Sequence, residues 1–292
     1  MNSLLSTEPI DYLMIGHVTQ DIKPGGFSLG GTASFSALTA RALGLRVGIV
    51  TAHAEGLKLP ELAGIPISAV YSEHSTTFEN IPTPQGRVQY LHHLADTLTP
   101  AMIPPQWRSA PIVHLGPVAQ EIDPTIIRLF PEAQICLTPQ GWMRGWDKTG
   151  KVHFSDWPEA RYVLEQASAA VLSIEDVQRN ESQVEEMLTS IRVLVVTEGA
   201  KGARLYWNGD LRCFRPPLKE EIEPTGAGDI FAAAFFYRLY ATRDPWEAAR
   251  FATLLAANSV TRPGLQGVPT PEEVQSALME IISKPLPQGN YS

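Results

Sequence analysis

The chain has 292 residues, of which 44% are hydrophobic and 18% charged, with a formal net charge of -8 and a pI near 5.4. A chain of this length can bury a substantial core without disulfides or metals, and its acidic balance argues against nucleic-acid binding, which requires a basic surface. Cys136 and Cys213 form neither a metal motif nor a disulfide framework. Because neither a signal peptide nor a run long enough to span a bilayer is visible, we expect a cytoplasmic protein without a membrane partner.

Strands and helices alternate along most of the chain. A strand at 11–18, a loop around Pro24, a helix at 30–44 and a strand at 46–52 form a unit typical of parallel sheets. Further strands are predicted at 112–116, 133–138, 169–173, 193–197 and 203–207, and further helices at 124–131, 157–168, 180–190, 227–241, 245–262 and 271–283. This alternation predicts an α/β fold over residues 1–292, in which helices cover both faces of a mostly parallel sheet.

Residues 75–94 interrupt the alternation. Two short extended runs, in which polar and apolar residues alternate, flank a Pro-Thr-Pro-Gln-Gly turn. We therefore expect a two-stranded hairpin that stands off the main sheet. It is either a peripheral hairpin or a lid over a ligand cleft, around residues 72–95.

A glycine-rich turn precedes the long apolar helix at 227–241. It consists of Thr225, Gly226, Ala227, Gly228 and Asp229. Glycine lets a ligand approach the backbone, and a helix N-terminus presents unpaired N–H groups that suit an anion such as phosphate. An ionised acid beside a phosphate makes chemical sense if it takes the proton of an attacking hydroxyl. The alternative is an ordinary helix start capped by Thr225, and these residues alone leave both interpretations open.

The same turn carries a resemblance. Followed by the residues IFAAAFFYRL, it resembles the carboxy-terminal signature of the ribokinase family, also called PfkB-type carbohydrate kinases. Gly30 and Gly31 are similar to the diglycine signature of that family, and residues 16–21 resemble its first strand, which ends in a sugar-binding acid. Residues 196–206 resemble the segment that lines the ATP phosphates, and residues 258–270 resemble the segment beside the nucleotide base. The resemblance covers nearly the whole chain.

The resemblance implies a three-layer α/β/α sandwich with a small β lid, and transfer of the γ-phosphoryl group of ATP to an alcohol with Mg²⁺. Asp229 would act as the base, and the anion hole would consist of Gly226, Ala227 and Gly228. The acceptor would be held by Asp21, Gly30, Gly31, Gln140 and Arg144. The nucleotide would be held by Thr197, Gly199, Gly202, Thr225 and Asn258. Some members of the family also use a monovalent cation, near the positions that match 222–229 and 258–267.

Two of these acceptor assignments have a purely structural alternative. Gln140 and Arg144 lie in the segment 138–147, where the family usually contacts substrate. Trp142 and Trp146 of the same segment would equally well pack a loop.

This sequence departs from the family pattern at two places. Phe35 occupies a position at which the family often has an asparagine that bonds a sugar hydroxyl. The family's Asn-x-x-Glu motif, which organises water around Mg²⁺, falls at 173–176, with Ser173 and Asp176 in place of its asparagine and glutamate. Asp176 or Glu175 would then serve the metal, or the two acids are a solvated pair at a helix start.

These departures make the chain resemble the inositol-kinase branch, which implies a small sugar or polyol acceptor such as myo-inositol. Two alternatives stay open: a nucleoside kinase in which the Phe35 ring stacks on a base, and a catalytically silent nucleotide-binding protein. A monomer and a homodimer are equally compatible with the sequence.

Overall fold

The computed structural model describes residues 9–83 and 86–279. Its strands are β1 (Tyr12–Ile15), β2 (Thr19–Lys23), β3 (Gly26–Gly30), β4 (Val47–Ala54), β5 (Ile67–Ser72), β6 (Thr77–Thr83), β7 (Gly86–His93), β8 (Ile112–Leu115), β9 (Gln134–Leu137), β10 (Arg144–Trp146), β11 (Val152–Phe154), β12 (Ala169–Ser173), β13 (Val193–Thr197), β14 (Ala203–Trp207) and β15 (Asp210–Phe214). Its helices are α1 (Gly31–Ala42), α2 (Ala160–Leu164), α3 (Glu181–Leu188), α4 (Ala227–Thr242), α5 (Pro245–Ser259) and α6 (Pro271–Leu278). No helix in these residues is long and apolar enough to cross a membrane.

The central sheet has nine strands in the order β15-β14-β13-β12-β9-β8-β1-β4-β5. The seven strands from β13 to β5 are parallel, and β14 and β15 continue the sheet as an antiparallel hairpin. Asn208 and Gly209 form the turn of that hairpin with φ angles of 52° and 82°, which is why this dipeptide suits a two-residue connection. The predicted α/β fold with a mostly parallel sheet is confirmed.

Successive strand residues point to opposite faces of the sheet, and both faces are buried. Tyr12 and Met14 of β1 pack in the cluster that contains the apolar sides of α1, α4, α5 and α6. Leu13 and Ile15 pack in the opposite cluster, which is covered by α2, α3 and several short 3₁₀ segments. This arrangement gives the three layers that the resemblance implied.

A second, four-stranded sheet has the order β3-β2-β6-β7; we call it the small sheet. The hairpin expected at 75–94 is confirmed as β6 and β7, and it pairs in parallel with β2. The segment around Pro24, expected to be a loop, is instead the turn of a second hairpin between β2 and β3. The sequence did not indicate this hairpin because the stretch 25–31 is rich in glycine, which has a low strand propensity. The segment is extended because β3 pairs with β2.

Several predicted boundaries were wrong. The helix expected at 124–131 is a 3₁₀ segment, Pro124–Leu129, because it is only six residues long and its two isoleucines are poor helix formers. The helix expected at 157–168 is reduced to the five residues of α2, which follow Pro158. Strands β5, β10 and β11 were not predicted, and the last residues of the helix expected at 271–283 lie outside the described residues.

An ion-pair cluster joins α4 to α5. Glu247 Oε1 accepts from Arg238 Nη2 at 2.8 Å, and Glu247 Oε2 accepts from Arg250 Nε at 2.7 Å. The hydrogen bonds from Arg250 and then Arg238, with the charges of both, hold the pKa of Glu247 below its usual 4.5, against the opposing effect of burial. The contribution of this carboxylate to stability is therefore present above its unfolded pKa and is lost as the pH falls through the folded value.

We predict that Glu247→Gln makes the free energy of unfolding less dependent on pH in acid. The amide carries no charge, so acid cannot neutralise a stabilising charge at this position. The measurement is the midpoint of urea unfolding between about pH 6 and pH 3. Glu185→Gln, at an exposed position of α3, is the control and should keep the slope of the unsubstituted protein. Equal slopes for all three proteins would contradict the prediction.

Candidate active site

The residues assigned from the sequence collect at the carboxyl ends of the parallel strands, where open α/β sheets bind ligands. Strand β1 leads at this edge into the small sheet, and α1 begins directly after β3. Helix α4 begins on the same face of the central sheet as α1, against which it packs. The small sheet, α1 and the start of α4 therefore enclose one region.

The glycine turn, residues 225–229, starts α4. Gly226 is the N-cap, with φ 85° and ψ -9°, and no side chain caps the helix. The alternative interpretation, an ordinary helix start capped by Thr225, is therefore wrong in this detail. The α-carbon of Gly228 faces open space, with no atom within 4 Å of where a Cβ would stand, so the N–H groups at the start of this 16-residue helix have room for an anion. Asp229 is half-buried in the first turn.

The acceptor-side residues form a second compact group. Asp21 lies in the middle of β2, not at the end of the first strand as expected, because β1 already ends at Ile15. Thr19 Oγ1 donates to Asp21 Oδ1 at 3.4 Å. A Cβ on Gly30 would stand 2.5 Å from Asp21 Oδ2, and Gly31, with φ 82°, lies against the His17 carbonyl. Glycine is needed at 30 and 31 because the backbone comes this close to β2.

Helix α1 joins the two groups. The Phe35 ring lies where a Cβ on Gly226 would stand, and Ser36 Oγ donates to the Asp229 carbonyl at 3.3 Å. Phe35 is only 3% exposed. The suggestion that its ring stacks on a nucleobase is therefore wrong, because the ring is already packed inside the protein.

Gln140 and Asp176 meet each other. Gln140 Nε2 donates to Asp176 Oδ1 at 2.8 Å, and the Ser173 N–H donates to Asp176 Oδ2 at 2.8 Å. Glu175 is exposed and bonds Arg179 at 2.6 Å. Asp176 therefore fits an indirect role towards Mg²⁺ through ordered water, whereas Glu175 is directed to a surface arginine. Among residues 9–83 and 86–279, no group of three or more His, Cys, Asp or Glu is placed to hold a metal ion.

Arg144 and the tryptophans of the same segment pack against the loop at 117–122 and the small sheet. Arg144 Nη1 donates to the Val118 carbonyl at 2.9 Å, and its guanidinium lies 5.6 Å from the centre of the Phe78 ring. Trp142 donates to the Ile122 carbonyl and stacks on Trp157, with ring centres 4.9 Å apart. Trp142 therefore packs a loop, as the structural alternative expected, while Arg144 joins that loop to the small sheet.

The residues predicted to hold the nucleotide lie after β13 and near the end of α5. Thr197 ends β13, and Gly199 and Gly202 form the following turn with φ angles of 58° and 99°. Asn258 lies near the end of α5, where the carbonyl of Val260 accepts the N–H groups of residues 222 and 223. The segment that leads into the glycine turn is thus fastened to the end of α5.

Two buried polar residues were not found from the sequence. Glu121 is 1% exposed and accepts the N–H groups of His17 at 3.1 Å, Val118 at 2.9 Å and Ala119 at 2.7 Å. The His17 ring contacts Thr76 Oγ1 at 2.7 Å and the Asp96 carbonyl at 2.9 Å, so it joins both ends of the hairpin β6–β7. No spacing motif marks these residues. A glutamate that follows a strand is ordinary, and only the fold brings the N–H group of His17 to it.

The buried histidines are structural. Burial lowers the pKa of His17, although the charge of Glu121 opposes this effect. Burial alone lowers the pKa of His114 to about 3, and this imidazole bonds Tyr12 Oη and Thr138 Oγ1, each at 2.8 Å. Both imidazoles therefore serve as uncharged hydrogen-bonding groups in the core.

Comparison with known proteins supports the resemblance found in the sequence. The model of the pfkB carbohydrate kinase family matches residues 159–273. The resemblance read from the sequence is confirmed, and the protein is a kinase of the sugar and polyol type.

Three relatives illustrate the range of this family. Inositol 3-kinase of Zea mays is 26% identical over 278 residues, which cover 92% of this chain and 70% of the relative. Cytidine kinase of Thermococcus kodakarensis is 26% identical over 262 residues, which cover 77% of this chain and 87% of the relative. A pyrophosphate-dependent kinase in the ribokinase family, solved with a pyrophosphate analogue and myo-inositol, has a TM-score of 0.74 at 20% identity and covers 91% of this chain and 100% of its own.

We predict that Glu121→Gln lowers the free energy of unfolding by about 2–3 kcal/mol, because hydrogen bonds from three N–H groups to a buried charge are lost or weakened. Glu132→Gln, at an exposed position, should change it by less than about 0.5 kcal/mol. Urea unfolding followed by circular dichroism measures both. Equal effects of the two substitutions would show that Glu121 does not hold these loops.

Proposed function

We propose that this kinase transfers the γ-phosphoryl group of ATP to a hydroxyl of a small polyol, with Asp229 as general base. The observation that carries the proposal is the placement of Asp229 in the first turn of α4, beside a glycine turn with open backbone. Helix α1 connects this turn directly to Asp21 and Gly30. A donor phosphate and an acceptor hydroxyl can therefore meet at one carboxylate.

The proposed reaction is an in-line displacement. Asp229 takes the proton of the attacking hydroxyl while the hydroxyl oxygen forms a bond to the γ-phosphorus. The bond from that phosphorus to the bridging oxygen breaks, and ADP leaves with the electron pair. The N–H groups of Gly226 and Gly228 stabilise the charge that develops on the transferring group. The N–H group of Ala227 donates to the Pro224 carbonyl at 3.2 Å, so Ala227 serves the anion hole by its small side chain.

Magnesium enters the proposal only as a companion of the donor phosphates, whose charge it neutralises when bound. Asp176, half-buried and bonded to Ser173 and Gln140, would orient water of the metal. We assign no such role to Glu175, which pairs with Arg179. Thr197, Gly199, Gly202, Thr225 and Asn258 stay the proposed nucleotide residues.

We propose a polyol acceptor on chemical grounds. Asp21, Gln140 and Arg144 offer both hydrogen-bond acceptors and donors, which suits a molecule rich in hydroxyl groups. The inositol 3-kinase relative, and the related structure that contains myo-inositol, support the choice of an inositol. Similarity to cytidine kinase makes a nucleoside the second candidate, although Phe35 is not available to stack on a base.

The small sheet is proposed as the lid over this cleft. Its inner side chains Phe78 and Leu91 pack against Val118 and Ala119, and Lys23 Nζ lies 3.3 Å from Glu223 Oε1, in the segment before the glycine turn. A lid in this place would exclude water that otherwise accepts the phosphoryl group. The cytoplasmic location, the single domain and the choice between monomer and homodimer stay predictions.

We predict that Asp229→Asn lowers turnover at least about a hundredfold, because the amide cannot accept the hydroxyl proton. Binding of a non-hydrolysable ATP analogue, measured by calorimetry, should be retained. Asp210→Asn, at an exposed position of β15, is the control with unchanged turnover. Turnover of Asp229→Asn close to that of the unsubstituted protein would reject the assignment.

A panel of acceptors tests the proposed function as a whole. Myo-inositol, ribose and cytidine are each offered with ATP and, separately, with pyrophosphate, and phosphorus NMR identifies any product. We expect phosphorylated inositol with ATP as the donor. A cytidine product would favour the nucleoside kinase, a product with pyrophosphate only would change the donor, and nucleotide binding without any product would favour the silent protein.

A further inference from the structure

The residue that departs most from the family pattern lies against the glycine turn. Phe35 is 3% exposed. Three of its ring carbons lie 2.2, 2.3 and 2.5 Å from the place where a Cβ on Gly226 would stand. Gly226 has a positive φ of 85°. Both the backbone conformation and the ring therefore require glycine at this position.

The next residue of α1 holds the other end of the turn. Ser36 Oγ donates to the Asp229 carbonyl at 3.3 Å. Phe35 and Ser36 thus contact the first and last residues of the segment that carries the proposed anion hole and base. The ring therefore covers Gly226 from the side of α1.

The first residues of α1 hold the acceptor side. Gly30 lies against the Asp21 carboxylate, and Gly31 against Thr19 and the His17 carbonyl. Because a helix rises about 1.5 Å per residue, Gly31 and Phe35 are about 6 Å apart along the axis of α1. One stretch of helix therefore sets the separation between the acceptor residues and the glycine turn.

We propose that Phe35 is a positioning residue that fixes the glycine turn, and with it the Asp229 carboxylate, relative to the acceptor held at Asp21 and Gly30. In this chain the position holds the catalytic turn in place rather than binding an acceptor hydroxyl. The inference rests on the proposed function. Its consequence is that loss of the ring lowers kcat much more than it raises KM for the acceptor, because misplacement by about 1 Å can cost about a hundredfold in rate.

The first experiment compares Phe35→Ala with Phe130→Ala, which removes a buried ring from the core on the opposite face of the sheet. Both should lower the thermal midpoint. Only Phe35→Ala should lower kcat of the folded protein, by about 10-fold to 100-fold, with acceptor KM changed less than about threefold. Phe35→Leu, which keeps an apolar contact, should restore most of kcat and covers the case in which the alanine variant does not fold.

Phe35→Asn separates positioning from acceptor binding. The asparagine side chain does not fill the place of the ring, so we expect the same loss of kcat as for alanine. A gain of activity towards ribose or another sugar, with lower KM, would overturn the proposal, because the position would then serve the acceptor directly.

A double-mutant cycle tests the contact itself. Gly226→Ala places a methyl group in the space of the Phe35 ring and strains a positive φ, so the single variant should lose most activity. In the Phe35→Leu background, the factor by which Gly226→Ala lowers activity should be at least about tenfold smaller, because the leucine side chain leaves more room for the methyl group. If the effects of the two substitutions on activity are additive, the two residues are not coupled and the proposal is contradicted.

A measurement without substrate distinguishes this inference from the proposed function. Amide hydrogen exchange of the peptide around 224–231 should be faster in Phe35→Ala than in the unsubstituted protein, and to a smaller extent in Phe35→Leu, while exchange in β8 and β9 is unchanged. Unchanged exchange at 224–231 would overturn the proposal even in an active enzyme. Faster exchange in a protein that phosphorylates no acceptor would reject only the proposed function.

Discussion

The start of α4 is the constraint on which the site depends. Gly226 adopts a positive φ at the helix N-cap, and this conformation lets the chain enter the helix with its N–H groups towards the cleft. Ala227 and Gly228 carry no bulk that would cover these groups, and Asp229 follows within the first turn. A side chain at 226 would meet both a strained backbone and the Phe35 ring, so the geometry is fixed from two sides.

The acceptor side uses the same principle with different partners. Gly30 and Gly31 bring the start of α1 against β2, where Asp21 lies. Because β2 belongs to the small sheet, the acid is carried by the part of the protein proposed to be the lid. Glu121 and His17 hold the base of that sheet through buried hydrogen bonds to backbone and hydroxyl groups. The site is therefore assembled from the start of a helix, a hairpin, and the buried hydrogen bonds of Glu121 and His17 at the base of that hairpin.

The predictions from the sequence succeeded where local chemistry decides. The alternation of strands and helices indicated the parallel sheet, and the alternating runs at 75–94 indicated the hairpin β6–β7. They failed where pairing decides: β2 and β3 hide in a glycine-rich stretch, and β5, β10 and β11 are extended only because neighbours bond to them. The sequence also left open a cap of α4 by Thr225, and the structure excludes it because the left-handed Gly226 is the N-cap.

The sequence by itself determined the fold class, the family resemblance and the glycine turn with its adjacent acid, because backbone freedom and residue chemistry are local properties. The tertiary structure alone decided the surroundings of these residues. It packed Phe35 on Gly226, bonded Asp176 to Gln140, and bonded the His17 N–H group to Glu121. Such contacts join residues that are far apart in the chain, and no spacing or composition encodes them until the strands have taken their order in the sheet.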